Sequence, residues 1–131
     1  MTIDAHQHFW KYDPVQYDWI DDSMAVLQGD FLPEDLQPLL QQNHLDACIA
    51  VQADTSEKDT AFLLELAQEH AFIAGVVGWV DFCAANVEER LDIFSGHKKL
   101  CGYRHIVQAE PDVNFLLRPD FLQGIQALGN Y

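Results

Sequence analysis

The sequence predicts an α/β protein built from four consecutive βα units whose strands run parallel. Four short strand-like segments are each followed by a segment with helical periodicity. From the second strand onward the strands begin about 27 residues apart, which is the size of one βα unit. Such alternation implies right-handed crossovers. It leaves two architectures open, an open four-stranded sheet and half of a closed barrel, because a complete barrel takes about 250 residues.

The predicted strands are short apolar runs rich in small and β-branched residues, which suit strands buried on both faces of a sheet. They cover residues 2–5, 46–52, 72–80 and 100–108. The helices between them begin at recognisable signals. Pro33 and Pro119 stand at first helical positions, Ser56 and Asp59 have the spacing of a capping box, and Asn86 can cap a third helix.

One connection, residues 9–32, is too long for a routine βα loop. It is rich in aromatic residues, namely Trp10, Tyr12, Tyr17, Trp19 and Phe31. Two interpretations stay open: a lid or binding loop over a functional site, and a loop that packs on its own aromatic side chains.

Composition and charge exclude some classes of function. Seven basic and 21 acidic residues give a net charge of −14, which repels nucleic-acid phosphates and anionic membranes. We therefore expect no nucleic-acid and no membrane partner. The sequence has no recognisable signal peptide, and its three cysteines lack metal-type spacing. Cys48 and Cys101, in strand-like runs, are expected to be buried thiols, and a cytoplasmic location is expected.

The segment Asp4-Ala5-His6-Gln7-His8 carries the most specific chemical signal. Residues two apart in a strand project from the same face, so the two imidazoles are expected to point the same way. Neutral imidazole is a good ligand for zinc and similar divalent ions. Parallel α/β folds place their sites at the carboxyl ends of the strands. His6 and His8 are therefore the candidate metal ligands.

Two motifs together resemble the amidohydrolase superfamily, and more specifically its amidohydrolase-2 group of sugar lactonases. The first is the opening Asp4–Trp10, and the second is Gly102–Gln108 with the segment that follows it. The group includes fuconolactonase-like, rhamnonolactonase-like and pyrone-dicarboxylate lactonase enzymes. The resemblance implies a TIM (β/α)₈ barrel, of which residues 1–131 are the N-terminal half, a single partial domain truncated before the fifth strand.

Four further residues are candidates for the site. Arg104 and His105 are the candidate catalytic residues, although neighbours in a regular strand face opposite ways unless the strand is bulged. Arg104 suits a substrate carboxylate or ring oxygen. Gln52 and Trp79 are candidates for substrate binding, with a core role the alternative for Trp79. Gln52 is placed there because Cys48 and Ala50 are expected to face the barrel centre and Ile49 the helices.

The resemblance implies hydrolysis of a sugar-acid lactone, either with a divalent, zinc-like metal held by His6 and His8 or, as in members that work without a metal, with the two histidines at the substrate carbonyl. The family's further ligands and its catalytic aspartate lie on later strands, so we expect this chain alone to be weakly active or inactive. We also expect it to associate with itself or with a C-terminal half-barrel. Two alternatives remain: a non-catalytic half-barrel fragment, and a metal-dependent phosphoesterase or nuclease of the same superfamily.

Overall fold

A computed structural model describes residues 1–131 and contains one parallel sheet with helices packed against it. The strands are β1 (Ile3–Gln7), β2 (Ala47–Val51), β3 (Ile73–Gly78) and β4 (Leu100–Tyr103). They lie in the order β1-β2-β3-β4, and every neighbouring pair is parallel. The helices are α1 (Pro33–Gln42), α2 (Glu57–Glu69), α3 (Val87–Ser95) and α4 (Pro119–Leu128). Short 3₁₀ helices cover Asp22–Leu27, Val107–Ala109 and Phe115–Leu117. The four predicted βα units are confirmed.

The hydrophobic core lies on one face of the sheet. It joins strand residues such as Cys48, Ala50 and Val76 to residues of all four helices, among them Leu40, Leu63, Leu91 and Phe121. Sequential strand order with right-handed crossovers places every helix on the same side of a sheet. This is the arrangement of a barrel wall, whereas a doubly wound sheet carries helices on both faces.

The opposite face of the sheet is open. A Cβ atom built on Gly75 would lie 2.9 Å from the Cys101 sulfur and 3.1 Å from Ile49 Cδ1, so these three residues share that face. Cys101 is exposed and Ile49 is partly exposed. The prediction that Cys101 is buried is therefore wrong, because its strand face carries no helix.

The predicted orientation of β2 is also wrong. Cys48 and Ala50 are fully buried in the core that the helices share, and Ile49 points to the open face. Their small side chains suit the core that the sheet shares with the helices, since close-packed interiors leave little room for larger residues.

Strand β4 is shorter than predicted. It ends at Tyr103, and the last main-chain hydrogen bond to β3 runs from Arg104 N to Gly78 O at 2.9 Å. The chain then turns into the 3₁₀ helix Val107–Ala109. Beyond that bond the main chain makes no further pairing with β3, and the side chains of Arg104 and His105 take the partners described below.

The helix signals are largely confirmed. Pro33 and Pro119 occupy first positions of α1 and α4, and the Ser56 hydroxyl accepts a hydrogen bond from Asp59 N at 3.2 Å. Asn86 makes no capping bond, because its side chain bonds instead to Glu89 and Arg90 further along α3. None of the helices combines the length and the hydropathy needed to cross a bilayer.

The long connection after β1 packs on its own aromatic residues. Trp10, Tyr17 and Ile20 are buried together with Ala53, and Trp10 pairs through its backbone with Phe31. The rings of Trp10 and Phe31 lie 4.8 Å apart between centroids. The self-packed interpretation is confirmed, and two residues of this connection, Asp18 and Trp19, also reach the cleft described below.

Candidate active site

A cleft of about 450 Å³ opens at the carboxyl ends of the strands. It collects residues that follow β1, β2 and β4, together with two residues of the long connection after β1. Its lining residues are His8, Asp18, Trp19, Ala53, Asp54, Thr55, Arg104, Ile106, Ala109 and Glu110. Active sites of parallel α/β barrels lie at this end of the strands, because each βα loop begins there.

The two imidazoles of the opening motif lie side by side. The ring centroids of His6 and His8 are 5.0 Å apart, with the rings at 78°. This proximity holds although the register between β1 and β2 shifts between Asp4 and Gln7. The structure thus brings together the two candidate metal ligands.

His8 is oriented through one ring nitrogen. Its Nδ1 lies 2.8 Å from the carbonyl oxygen of Val51, so Nδ1 carries the proton and the lone pair sits on Nε2. Burial lowers the pKa of His8, and the nearby charges of Arg104 and His6 act in the same direction. Both effects favour the neutral ring, which is the form that binds a metal ion.

Arg104 joins the ends of β2 and β4. Its Nε donates to Gln52 Oε1 at 2.9 Å and its Nη2 to the Gln52 carbonyl oxygen at 2.5 Å, with a further bond from Nη2 to Gln52 Oε1. Its Nη1 lies 3.4 Å from His6 Nε2. Gln52 is fully buried. Gln52 therefore already engages the Nε–Nη2 edge of the guanidinium, and both bonds of Nη2, so that Arg104 has no free edge for gripping a carboxylate with two hydrogen bonds.

Trp79 and His105 meet behind the cleft rather than in its lining. Trp79 Nε1 donates to His105 Nδ1 at 3.1 Å, and His105 Nε2 donates to Glu110 Oε1 at 2.7 Å. The His105 ring also stacks on Phe115, with centroids 4.5 Å apart. Arg104 and His105 can face different surroundings because the strand has already ended at Tyr103.

Sequence reasoning missed Glu110 as a residue of the cleft, and it named Trp19 only within a connection that was open to a binding-loop interpretation. Glu110 reaches it only because the 3₁₀ helix Val107–Ala109 turns the chain back after β4. Trp19 reaches it because its Nε1 donates to the carbonyl oxygen of Ala53 at 3.1 Å. No spacing rule in the sequence indicates either turn.

Buried Asp59 ties the long connection to the end of β2. Its Oδ2 accepts from Ala53 N at 2.9 Å, and its Oδ1 accepts from the Tyr17 hydroxyl at 3.1 Å. Burial raises the pKa of Asp59 to about 6, even though these hydrogen bonds favour the ionised form. The spacing of Ser56 and Asp59 predicted the place of Asp59 in the helix. It did not indicate that Asp59 also links the long connection to the end of β2.

The pKa of Asp59 leads to a prediction of pH-dependent stability. Asp59 holds its proton more tightly in the folded chain than at its ordinary pKa of 3.8. Its contribution to stability is therefore complete below about pH 4 and is lost as the pH rises through about 6. Asp59→Asn removes the titration, and its amide oxygen can still accept from Ala53. Denaturant unfolding should show wild-type stability falling by about 2 kcal/mol relative to this variant across that range. If the two proteins differed in their free energy of unfolding by the same amount from pH 4 to pH 7, the raised pKa of Asp59 would be contradicted.

The residues at the cleft fit part of a metal site. His8 Nε2 is free of hydrogen bonds within the chain, and its opposite nitrogen is held by a carbonyl oxygen, as is common for histidine ligands. His6 is exposed beside it. No group of three His, Cys, Asp or Glu side chains close enough to hold an ion occurs in the chain. Two candidate ligands are thus present where a tight catalytic zinc site typically has three.

The relatives of this chain among known proteins include two L-fucono-1,5-lactonases. A scan against protein-family models finds no match. The chain is 48% identical over 126 residues to an L-fucono-1,5-lactonase of Burkholderia multivorans, a match that covers 95% of this chain and 42% of the relative. The predicted resemblance to the amidohydrolases is confirmed. The chain spans less than half the length of this lactonase.

Solved structures of amidohydrolases confirm the fold class. An amidohydrolase from Burkholderia multivorans with bound zinc superposes with a TM-score of 0.93 at 46% identity, over 99% of this chain and 46% of that one. A probable 2-pyrone-4,6-dicarboxylic acid hydrolase from Acinetobacter baumannii superposes with a TM-score of 0.68 at 14% identity, which concerns the fold alone. These amidohydrolases are TIM barrels, so the four βα units correspond to half of such a barrel.

Proposed function

We propose that this chain is part of a metal-dependent hydrolase that opens the ring ester of a sugar-acid lactone. The observation that carries the proposal is the His6/His8 pair, which lies next to the Arg104 guanidinium at the cleft. The lactonase name of the 48% identical relative supports the substrate class. Zinc in the superposable amidohydrolase supports the metal.

In this proposal His6 and His8 hold a divalent ion such as zinc. The chemistry supplied by such an ion would be polarisation of the lactone carbonyl and a lowered pKa of a bound water molecule. Arg104 supplies a fixed positive charge at the cleft, which stabilises the negative charge that develops on the carbonyl oxygen. Gln52 fixes the direction of Arg104 through three hydrogen bonds.

The roles of Trp79 and His105 differ from those expected from the sequence. Since both lie behind the cleft, we propose that they act through Glu110, which His105 holds in place. His105 is then a positioning residue, and Trp79 fixes the His105 ring through its indole N–H.

We further propose that residues 1–131 form one partial-barrel domain whose missing strands carry the remaining metal ligand and the catalytic base. The chain alone would then be weakly active or inactive, because two imidazoles bind a metal ion loosely. The small-molecule partner is the lactone itself. Three free thiols, one of them exposed, fit a reducing compartment such as the cytoplasm.

The open face of the sheet is an argument for a macromolecular partner in addition to the lactone. It carries the exposed Cys101 and partly exposed Ile49, and β1 and β4 each leave one edge unpaired. Uncovered edges and apolar faces favour association. We propose that a C-terminal half-barrel covers this face, or a second copy of the chain where that half is lacking.

Thiol alkylation at Cys101 tests whether a C-terminal half-barrel covers the open face of the sheet. The isolated, diluted chain should react with iodoacetamide at Cys101, and a fused or added C-terminal half should slow that reaction by at least about 10-fold, because the thiol becomes buried. Cys101→Ser is the control that assigns the modified site by mass. Equal rates with and without the added half would contradict the proposed interface.

The test of function uses a completed barrel. This chain is fused to the part of the Burkholderia multivorans lactonase sequence that it does not cover, and hydrolysis of L-fucono-1,5-lactone is followed with a pH indicator in the presence of zinc. We expect turnover by the fusion and little by the chain alone. Turnover of bis(p-nitrophenyl) phosphate in place of the lactone would favour the phosphoesterase alternative. Failure of a folded fusion with both substrates would favour the non-catalytic one.

A further inference from the structure

Glu110 connects the cleft to a cluster of rings beside α4, namely Trp79, His105, Phe115 and Phe121. Its carboxylate lines the cleft, and 26% of the side chain is exposed. One oxygen, Oε1, accepts a hydrogen bond from His105 Nε2 at 2.7 Å. The other oxygen, Oε2, makes no hydrogen bond within the chain, so it is free to accept one from a ligand.

The position of this carboxylate is fixed from behind. His105 is held by the indole N–H of Trp79, by stacking on Phe115 at 4.5 Å and 12°, and by the edge of Phe121 at 5.7 Å. Because Trp79 Nε1 can only donate, His105 Nδ1 accepts, and the proton on Nε2 is directed at Glu110. An acceptor pre-oriented in this way loses little conformational entropy when a ligand binds.

The charges around the cleft disfavour ligands that are recognised through a carboxylate. Asp18, Asp54 and Glu110 line it with Arg104 as the only arginine or lysine, and the Nε and Nη2 of that guanidinium already bond Gln52. A substrate carboxylate would meet like charges without a free bidentate partner. Hydroxyl groups, in contrast, donate well to carboxylates.

We propose that Glu110 is a specificity-determining residue that accepts hydrogen bonds from ring hydroxyls of the lactone, with His105 as its positioning residue. This inference rests on the proposed lactonase function. It assigns recognition of the hydroxylated part of the substrate to the segment after β4, and it leaves the reacting ester to the His6/His8 side of the cleft.

The test compares two lactones on the fused, completed barrel. L-Fucono-1,5-lactone carries ring hydroxyls, and δ-valerolactone has the same ring ester without them. Glu110→Gln should lower kcat/KM for the hydroxylated lactone by about 10- to 100-fold, mainly through KM, because a charged acceptor is lost. It should leave δ-valerolactone turnover within about 2-fold. Glu65→Gln, which neutralises an exposed carboxylate on α2, is the matched control and should change neither.

The possible outcomes distinguish failure of the role of Glu110 from failure of the proposed lactonase function. Equal losses with both lactones, or no loss with either, would overturn the role of Glu110 while the lactonase function stands. No turnover of either lactone by the unsubstituted fusion would overturn the lactonase function, and this inference with it. His105→Phe keeps the stacked ring and removes the N–H donor. It should shift KM for the hydroxylated lactone in the same direction as Glu110→Gln, and an unchanged KM would overturn the positioning role.

Discussion

Replacing His8 by alanine in the completed barrel is expected to lower kcat/KM for the sugar lactone by about 10³-fold, the scale on which loss of a group that stabilises the transition state acts. His8 offers a neutral, oriented imidazole whose Nε2 is free, and alanine removes that ligand. Steady-state kinetics at saturating zinc measure the effect.

The control for this prediction is His97→Ala. His97 lies in the turn after α3, where its Nδ1 meets only the Gln68 amide at 3.3 Å, so its removal should leave the kinetics within about 2-fold. A His8→Ala enzyme with more than about a tenth of the original kcat/KM would show that this imidazole is not a ligand of the reacting centre.

Gly124→Ala is expected to destabilise the chain by about 3 kcal/mol or more, at the upper end of what overpacking costs. A Cβ at this position of α4 would lie 2.1 Å from the carbonyl oxygen of Phe82. Phe82 is 3% exposed, and its main chain follows β3, so neither partner can shift easily. Urea unfolding of the 131-residue chain, with the slope checked for two-state behaviour, measures the change.

A second glycine supplies the matched control. Gly96 ends α3 with a right-handed helical backbone, φ −74°, and nothing lies within 4 Å of an added Cβ. Gly96→Ala should therefore be neutral or stabilise by about 0.5 kcal/mol, because alanine restricts the unfolded chain. Stability of Gly124→Ala within about 0.5 kcal/mol of the original would contradict the described docking of α4.

The docking of α4 also matters for the site. Phe121 of α4 packs against Phe115, with centroids 5.2 Å apart, and Phe115 stacks on His105. Loosening α4 would therefore free the ring that positions Glu110. Loss of discrimination between the two lactones in Gly124→Ala would follow from that, even in the fraction of molecules that remains folded.

The order of strands and helices could be predicted because it depends on local signals. Pro33, Ser56 and Pro119 mark helix starts through backbone chemistry that a neighbouring element does not change. The proximity of His6 and His8 also follows from their spacing within one segment.

Tertiary contacts, and not local signals, determine which face of the sheet a side chain takes and where β4 ends. Cys48 faces the core that the sheet shares with the helices, and no single-strand pattern records which face the helices cover. Arg104 leaves the strand pattern because Gln52, 52 residues earlier, supplies its partners. Glu110 enters the cleft through a 3₁₀ turn that has no sequence signature.

The most direct test of the imidazole pair is a zinc titration of the 131-residue chain, followed through the ¹⁵N resonances of its histidine rings. The expected result is that Nε2 of His8 responds first, with His6, while Nδ1 of His8 keeps its proton because the Val51 carbonyl oxygen holds it. A response confined to His44, His70 or His97, or binding through Nδ1 of His8, would contradict the assignment of this pair as the metal-binding part of the site.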